Sequence, residues 1–516
     1  MAEHLSPVFS LPPELLSECF HFCALAGTSN PESSSSNYAW IAISHVCHHW
    51  RTVALSTVRL WSRVILSSQR EWMSELLRRS GQTPLDIFAA FPSTYASAQH
   101  RADWMASFQV VLGEIARIHA LVFKSLLRLD YQVLEMLNSP APLLQDLSLY
   151  QVDFGALDAP EDGPLHTDLV SPFRDTPRLQ SLTLVQCHIP SFGLDVNSLK
   201  SLTIIGFPWG GVSRALSMQA LITTLRSTPL LGSLVMKNAT LPTSSTSIVP
   251  LPSPAVTLPQ LTTALLYGCS TDIVRLLDHL RLPALKTLYL ALEAPLVEPP
   301  ERLASSIART IQSFGQLSSL CIDGEVYEEF SLRGSVKPLT GARQSSVATH
   351  FFKLRVSSNR CRRVLTAFIE HMVFNSVRNL AITSVCRKRV WMTILRQCRN
   401  VFELSVRGKR ATHILQQMLQ DPTMDADGES SEQSASLPFP RLRSLSLDGL
   451  RERDFSTDVP IANPFVQFWM ERLNERRGRD DDSLVVVQQI ATHATIPNAL
   501  RSLHIALVPK DACESA

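Results

Sequence analysis

The chain has 516 residues, of which 45% are hydrophobic and 18% are charged, and its formal net charge is +2. This composition supplies a large apolar core and excludes a chain that is disordered throughout, and the charge gives no global reason to expect nucleic acid or an anionic membrane as a partner. No apolar run approaches the ~18 residues that cross a bilayer, and the first residues lack the pattern of a secretion signal. We therefore expect an intracellular protein of the cytoplasm or nucleus, with no nucleic acid and no membrane among its partners.

The ten cysteines are scattered without CxxC pairs. Six of them lie within apolar patterns, and we interpret these as small buried hydrophobic residues in a reducing compartment rather than as a disulfide framework. They are Cys19, Cys23, Cys187, Cys269, Cys321 and Cys386.

Residues 11–25, LPPELLSECFHFCAL, carry the signals of a helix. Pro12 and Pro13 suit its first turn, because an amide proton there would have no partner within the helix. Apolar residues then recur at helical spacing and are expected to form one face. They are Leu15, Leu16, Cys19, Phe20 and Cys23.

A second helix is predicted from about residue 38 to 55, after a serine-rich loop at 26–37. Its apolar face is expected to comprise Ala39, Ile43, Val46, Cys47, Trp50 and Ala54. A short third piece, VRLWSRVIL, follows at 58–66 and completes a compact helical module.

The order of these features resembles an F-box, whose pattern is LPxELL, an apolar middle, VCxxW and a closing LW. The resemblance covers about residues 11–66 and departs from the family in the long loop, while His48 and His49 fill positions that vary in the family. It implies docking on the Skp-type adaptor of a cullin-RING ubiquitin ligase. Some matching residues must form internal core instead of docking face, and the sequence does not separate the two sets. The matching residues are Leu11, Pro12, Leu15, Leu16, Phe20, Val46, Cys47, Trp50, Leu60 and Trp61.

The paired histidines and nearby cysteines raise the alternative of a metal or catalytic site. Zinc is disfavoured because no standard ligand spacing is present, and because Cys19 and Cys23 are expected on the apolar face of their helix. A nucleophilic Cys47 would need a lowered thiol pKa, and its apolar surroundings argue against one. No catalytic residue, metal or cofactor is predicted.

From residue 118 onward a short pattern, LxxLxL, recurs with variations. Alternation of apolar residues at period two predicts short strands with one buried face. The intervals of roughly 20 to 40 residues are typical of solenoid repeats, and three of them carry helical patterns, at 219–229, 301–315 and 362–376. The copies begin at residues 118, 144, 179, 199, 231, 261, 285, 317, 351, 377, 401, 442 and 500.

This pattern resembles a leucine-rich repeat, in which an Asn or Cys stands three positions after the last apolar residue. Cys187 and Cys269 fill that position, but most copies lack it, so we expect an uneven horseshoe with insertions. The alternative is an ordinary α/β domain with parallel strands. An F-box-like start, such repeats and the RSG…PL stretch between them also resemble the large F-box families of mushroom-forming fungi.

The expected fold class is α/β, with an F-box-like helical module followed by an irregular leucine-rich-repeat-like solenoid of short parallel strands and outer helices. The expected organisation is a tail at 1–10, the module at 11–66, linker helices and a first strand at 67–117, repeats at 118–508 and a tail at 509–516. Two insertions are predicted within the repeats: a flexible loop near 239–259, rich in Pro, Ser and Thr, and an acidic disordered segment near 421–440.

Charge is uneven within the repeats, since fourteen basic and two acidic residues lie between residues 353 and 410. Six basic residues follow strand copies, and equivalent positions of neighbouring repeats lie side by side, so we expect a basic rim that binds an acidic or phosphorylated target protein. The alternative is a solvated surface neutralised by the acidic segment at 421–432. The predicted rim comprises Arg387, Lys388, Arg389, Arg407, Lys409 and Arg410.

The sequence contains no phosphate-binding loop, GxGxxG, HExxH or GxSxG motif, so an enzyme is not predicted. The predicted function is that of a substrate receptor in a ubiquitin ligase, which raises the effective concentration of a target near the ligase. One alternative is a leucine-rich-repeat scaffold or inhibitor acting outside a ligase, with the first module as a terminal cap. The other is an enzyme whose catalytic groups converge only in space.

Overall fold

The computed structural model describes most of the chain, and all structural statements below concern the described residues. These are 11–26, 38–91, 96–125, 131–152, 173, 175–187, 196–206, 218–238, 255–293, 296, 298–312, 315–323, 329–336, 351–357, 361–372, 374–383, 391, 393–394, 397–407, 441–450, 483–491 and 501–509. The fold is of the α/β class, with a mostly parallel β-sheet. The chain divides into two compact units near residue 262.

The first unit begins with helices. Helix α1 covers Pro13–Ala26, a 3-10 helix covers Ala39–His45, α2 covers His48–Ser56, and a second 3-10 helix covers Val58–Trp61. The first prediction of a helix is therefore confirmed.

The single helix predicted from about residue 38 to 55 is wrong, because the chain is extended at Cys47, with φ −158° and ψ 170°. The Cys47 thiol accepts a hydrogen bond from the Trp50 amide at 3.4 Å and so caps the N-terminus of α2. Val46 lies outside both helices and is exposed rather than on a buried face. The break turns the expected continuous apolar face into two short helical surfaces.

The predicted boundary at residue 66 does not separate a helical module from a sheet. Strand β1, Arg63–Ile65, follows directly after the second 3-10 helix and pairs in parallel with β2, Leu85–Ala90. Helix α3, Arg70–Arg79, connects the two strands and lies within the segment at 67–117 where linker helices were expected. The N-terminal helices thus continue into the first strand of the sheet.

The sheet of the first unit contains seven parallel strands that pair in chain order. After β1 and β2 come β3 Ile118–Lys124, β4 Asp146–Tyr150, β5 Ser181–Val185, β6 Ser201–Ile205 and β7 Ser233–Lys237. After the N-terminal helices, the described helices of this unit are α3, α4 Ala98–Leu112, a 3-10 turn Ile115–Arg117, α5 Tyr131–Leu137 and α6 Met218–Arg226. The short strand β8, Val256–Thr257, falls within the segment predicted as a flexible loop, so that prediction is wrong at residues 256–257; residues 239–254 lie outside the described residues.

Seven of the described repeats begin with a tight turn that the LxxLxL pattern only partly shows. In the copy at 199–204 the Leu199 amide donates to the carbonyl of Val196 at 3.0 Å, and both side chains are buried. The same hydrogen bond, from an amide to the carbonyl three residues earlier, recurs in six other copies. The amide donors are Leu144, Leu179, Leu231, Leu261, Leu285 and Val377. The strand then starts two residues later. The repeating unit is therefore a buried turn residue, a buried leucine and a strand with two inward side chains.

The position expected to carry an Asn or Cys behaves differently in its two copies. The Cys187 thiol donates to the carbonyl of Leu149 in the preceding repeat at 3.2 Å, so it links neighbouring repeats. Cys269 instead ends strand β9, which runs straight into a helix, and its side chain forms no capping hydrogen bond there. Of these two positions, the bond to the preceding repeat is made by Cys187.

The second unit contains the remaining strands, and they do not all follow chain order. They are β9 Thr263–Cys269, β10 Leu280–Arg281, β11 Thr287–Glu293, β12 Ser319–Asp323, β13 Glu329–Ser335, β14 Phe351–Ser357, β15 Asn379–Ile382, β16 Glu403–Arg407, β17 Ser444–Leu450, β18 Ser483–Ala491 and β19 Arg501–Pro509. The helices α7 Ser270–His279, α8 Pro300–Gln312 and α9 Cys361–His371 pack consecutively, α7 on α8 and α8 on α9.

All thirteen predicted strand copies form strands, but two do not take the expected place. The copy at 351–356 forms β14, which pairs in parallel with β11, and β13 is inserted antiparallel between β14 and β12. The copy at 500–505 forms β19, which is antiparallel to both β17 and β18. The expectation of parallel strands throughout is therefore wrong at β13, β18 and β19, because side-chain alternation does not encode strand direction.

Candidate docking surface on the N-terminal helices

Helix α1 has one buried face and one exposed apolar face. Leu16 and Phe20 are buried at 1% and 2% exposure, whereas Leu15 and Phe22 are 55% and 67% exposed. Successive residues are separated by about 100° around a helix, so Leu15 and Phe22 lie on the same side, almost opposite Ala24. The prediction that Leu15 and Leu16 share one apolar face is therefore wrong, since one of them is exposed and the other is buried.

The exposed face of α1 also carries Cys19, which follows Leu15 by about one turn and lies about 40° from it around the helix. Cys19 and Cys23 are both exposed, so their interpretation as buried hydrophobic residues is wrong. Helix α1 therefore presents a stripe of Leu15, Cys19 and Phe22, hereafter the α1 stripe.

Exposure of large hydrophobic side chains is concentrated in the N-terminal helices. Among the described residues, six of the seven exposed large hydrophobic side chains fall between residues 15 and 58. Isolated exposed hydrophobic residues need no explanation, but a concentration of them marks an interaction site. The six are Leu15, Phe22, Leu25, Val46, Leu55 and Val58.

The opposite face of α1 belongs to a small aromatic core. The Phe20 and Trp50 rings lie 5.1 Å apart, and the Trp40 ring meets that of Trp61 edge-on at 5.1 Å. The Trp61 indole donates to the carbonyl of Ala54 at 3.0 Å. Because these contacts lock α1, α2 and the 3-10 helices together, the α1 stripe is displayed on a fixed surface.

The structure thus separates the ten predicted module residues into internal and external groups. Leu16, Phe20, Leu60 and Trp61 are buried and support the module from within. Pro12, Leu15 and Val46 are exposed, and Leu11, Cys47 and Trp50 are partly exposed. The sequence analysis omitted Phe22, which is 67% exposed, compared with 55% for Leu15 and 58% for Val46. Its i, i+7 spacing from Leu15 was the available signal.

Cys47, His48 and His49 lie at the start of α2. Among the residues that the structure describes, there is no group of three or more His, Cys, Asp or Glu side chains that could hold a metal ion. His48 and His49 are exposed on the first turn of α2, while Cys47 uses its sulfur as a backbone cap.

Of the six residues of the predicted basic rim, one lies in the part of the chain that the structure describes. Arg407 ends β16 and is exposed; Arg387, Lys388, Arg389, Lys409 and Arg410 lie outside the described residues. Arg407 contributes positive charge near Cys321, two strands away in the same sheet. The rim therefore remains a prediction.

The outer face of the second unit's sheet carries a basic and aromatic group that the sequence analysis did not single out. The rings of Tyr267 and Tyr289 lie 4.9 Å apart on neighbouring strands, and Lys353 Nζ lies 4.9 Å from the centre of the Tyr289 ring. Burial, followed by repulsion from Tyr289, raises the pKa of Tyr267. These residues occupy the alternate positions of strands whose other positions are buried, and that alternation was the available signal.

No model of a known protein family matches the chain, and no curated protein matches it in sequence. In the part of the chain that the structure describes, none of the helices combines the length and the apolar character needed to cross a bilayer.

Proposed function

We propose that this protein is a substrate-receptor subunit of a cullin-RING ubiquitin ligase, in which the N-terminal helices dock on a Skp-type adaptor. The observation that carries the proposal is the α1 stripe, exposed on a helix whose opposite face is fixed by Phe20, Trp50 and Trp61. A preformed apolar surface of this kind suits a stable partner, because covering it removes apolar area from water without reordering the module.

The rest of the chain suits the second task of a receptor. Successive strands of the first unit pair residue for residue, so that Leu147, Leu182 and Leu202 stand side by side in the core. This periodicity supports a leucine-rich-repeat-like solenoid with an extended outer face for a target protein. In this role the repeats bind the target and the protein catalyses no reaction itself.

Point variants on the two faces of α1 test the docking step. We expect Leu15→Asp with Phe22→Asp to abolish capture by a purified Skp-type adaptor while leaving the unfolding midpoint unchanged, because both side chains are exposed. Leu230→Asp is the matched control, since Leu230 is 40% exposed and lies outside the N-terminal helices. Removing residues 1–66 would be a poorer test because it deletes β1 from the sheet.

A wild-type chain that is not captured by the adaptor, or a double variant captured as well as wild type, would rule the proposal out. The first of these results would favour the second candidate, a repeat scaffold or inhibitor that acts outside a ligase. One observation supports that candidate: β1 follows directly from the N-terminal helices and pairs with β2, so those helices lead into the sheet at the position where a terminal cap is expected.

A further inference from the structure

The second unit contains an open cleft at the edge where β12, β15 and β16 begin. Its volume is about 750 Å³, within the range of ~300–1,000 Å³ that is common for ligand sites. The lining includes two arginines, Arg378 and Arg441, and no aspartate or glutamate. The predicted basic rim follows the opposite ends of the strands, so this cleft is a separate feature.

One lining arginine, Arg378, packs against the Phe402 ring, which Arg443, an arginine outside the lining, also contacts. Arg378, Phe402 and Arg443 occupy the same position, directly before the strand start, in three repeats whose strands β15, β16 and β17 are neighbours. The guanidinium carbons of Arg378 and Arg443 lie 5.8 and 5.4 Å from the centre of the Phe402 ring. Cation–π contact orients each guanidinium and leaves its N–H groups available for an anion.

Neither lining arginine is neutralised within the described part of the chain. No carboxylate there lies within ion-pair distance of Arg378 or Arg441. The neighbouring Glu403 carboxylate accepts a hydrogen bond from Asn379 at 2.8 Å and does not line the cleft. The cleft therefore has a local positive charge.

Side-chain amides line the cleft together with Ser318 and Ser376, whose hydroxyls already donate to the carbonyls of Ser335 and Leu317. Gln312, Gln316, Asn375 and Asn400 all line it. Asn400 Nδ2 donates to the Asn375 carbonyl at 2.5 Å, which fixes the Asn400 amide and leaves its oxygen free to accept. An amide both donates and accepts, so a row of amides matches the alternating N–H and C=O groups of an extended peptide backbone.

We propose that this cleft binds an extended peptide segment that carries an anionic side chain, carboxylate or phosphate, with Arg378 and Arg441 pairing with the anion and the amides pairing with the peptide backbone. In the proposed function this segment belongs to the target protein, and the inference rests on that function for this point alone. Peptide binding itself does not require the adaptor.

Fluorescence anisotropy of the full chain with three labelled peptides tests the proposal. The peptides share one alanine–glycine sequence and carry two glutamates, two phosphoserines or two glutamines. We expect the glutamate or the phosphoserine peptide to bind, and the glutamine peptide to bind at least about tenfold more weakly, since charged hydrogen bonds to arginine are the strong ones. The better anionic peptide identifies the anion.

Variants then locate the site. Arg378→Gln with Arg441→Gln should weaken binding of the anionic peptide by about tenfold or more. The matched control is Arg281→Gln with Arg363→Gln, two exposed arginines of the same unit outside the cleft, which makes the same change in net charge and should leave affinity within about twofold.

Three results would overturn the proposal: no binding of either anionic peptide to the wild-type chain, equal binding of the glutamine peptide, or an equal loss in the control variant. The Leu15→Asp and Phe22→Asp double variant should still bind the peptide. Loss of peptide binding should therefore leave capture by the adaptor unchanged, and loss of capture by the adaptor should leave peptide binding unchanged.

Discussion

The guanidinium of Arg79, at the end of α3, lies 4.4 Å from the centre of the Trp61 ring. Arg79 also pairs with Glu75 at 2.7 Å, one helical turn earlier. Trp61 closes the F-box-like pattern and Arg79 opens the RSG stretch, so two separate sequence features form one contact. The N-terminal helices and the first crossover of the sheet are therefore expected to unfold together.

Replacing Trp61 tests this coupling. Trp61→Phe removes the indole hydrogen bond to the buried Ala54 carbonyl and part of the surface under Arg79, and we expect a loss of about 2–4 kcal/mol. Denaturant unfolding should remain a single transition for α1–α3 signals. A variant with an unchanged midpoint would show that the contact does not hold these elements together.

The two leucines that begin α1 should differ sharply when each is shortened. Leu16 is 1% exposed, so Leu16→Ala should cost about 2–5 kcal/mol, whereas Leu15, at 55% exposure, should cost less than about 0.5 kcal/mol when changed to alanine. Chemical denaturation of the two variants measures the difference. Equal costs would contradict the assignment of the α1 faces.

Gly81 ends the turn after α3 with φ +56°, in the left-handed region. A Cβ there would meet Val58 Cγ1 at 3.8 Å, an ordinary contact, so the cost of Gly81→Ala comes from the backbone rather than from a clash. We expect a loss of about 1–2 kcal/mol. Gly81→Asn should recover part of it, because asparagine tolerates this conformation better, and a thermal or denaturant midpoint decides the order of the three proteins.

Arg117 is a buried arginine that holds the turn after α3. It donates to the carbonyls of Leu77 and Thr83, at 3.2 and 3.3 Å, to that of Gly81, and to the Glu114 carboxylate at 2.9 Å. Arg117→Met should cost about 3 kcal/mol or more, because the buried Leu77 carbonyl and two further carbonyls of the turn lose this donor.

Arg117→Lys should recover less than half of that loss, since an ammonium group cannot reproduce the guanidinium fork. The control is Arg78→Lys on a side chain that is 72% exposed, where less than about 1 kcal/mol is expected from the unfolding curve. Full recovery by Arg117→Lys would show that charge alone is required.

The cysteines should react with thiol reagents in an order that the sequence did not predict. Burial raises the pKa of the Cys187 thiol to about 11 and that of Cys398 to about 12, while Cys19 and Cys23 are exposed. At pH 8 we expect Cys19 and Cys23 to be alkylated first, because the thiolate reacts and access is open. Mass spectrometry of timed samples identifies the sites.

The raised pKa of the Cys187 thiol also affects stability at alkaline pH. The folded-state pKa of Cys187 lies above its usual value of 9.0, so the unfolded chain releases this proton first. Its contribution to stability is fully present below pH 9 and is lost as the pH rises towards 11. Cys187→Ala should reduce the fall in stability over that interval, and an unchanged slope would contradict the assignment.

The sequence by itself determined the α/β class and the positions of the thirteen strand copies, because alternation at period two is a local property of the chain. It also determined that α1 is apolar. It did not determine which leucine of the Leu15–Leu16 pair faces the core, since adjacent residues differ by only about 100° around a helix and both suit an apolar face.

The tertiary structure decided three further things. It broke the predicted second helix at Cys47, placed β13 between β12 and β14, and brought Arg378, Phe402 and Arg443 together from three repeats. Strand order, strand direction and contacts between repeats depend on which distant segments pack together. These arrangements are determined by the burial of apolar surface between segments across the sheet. No single stretch of sequence encodes that burial.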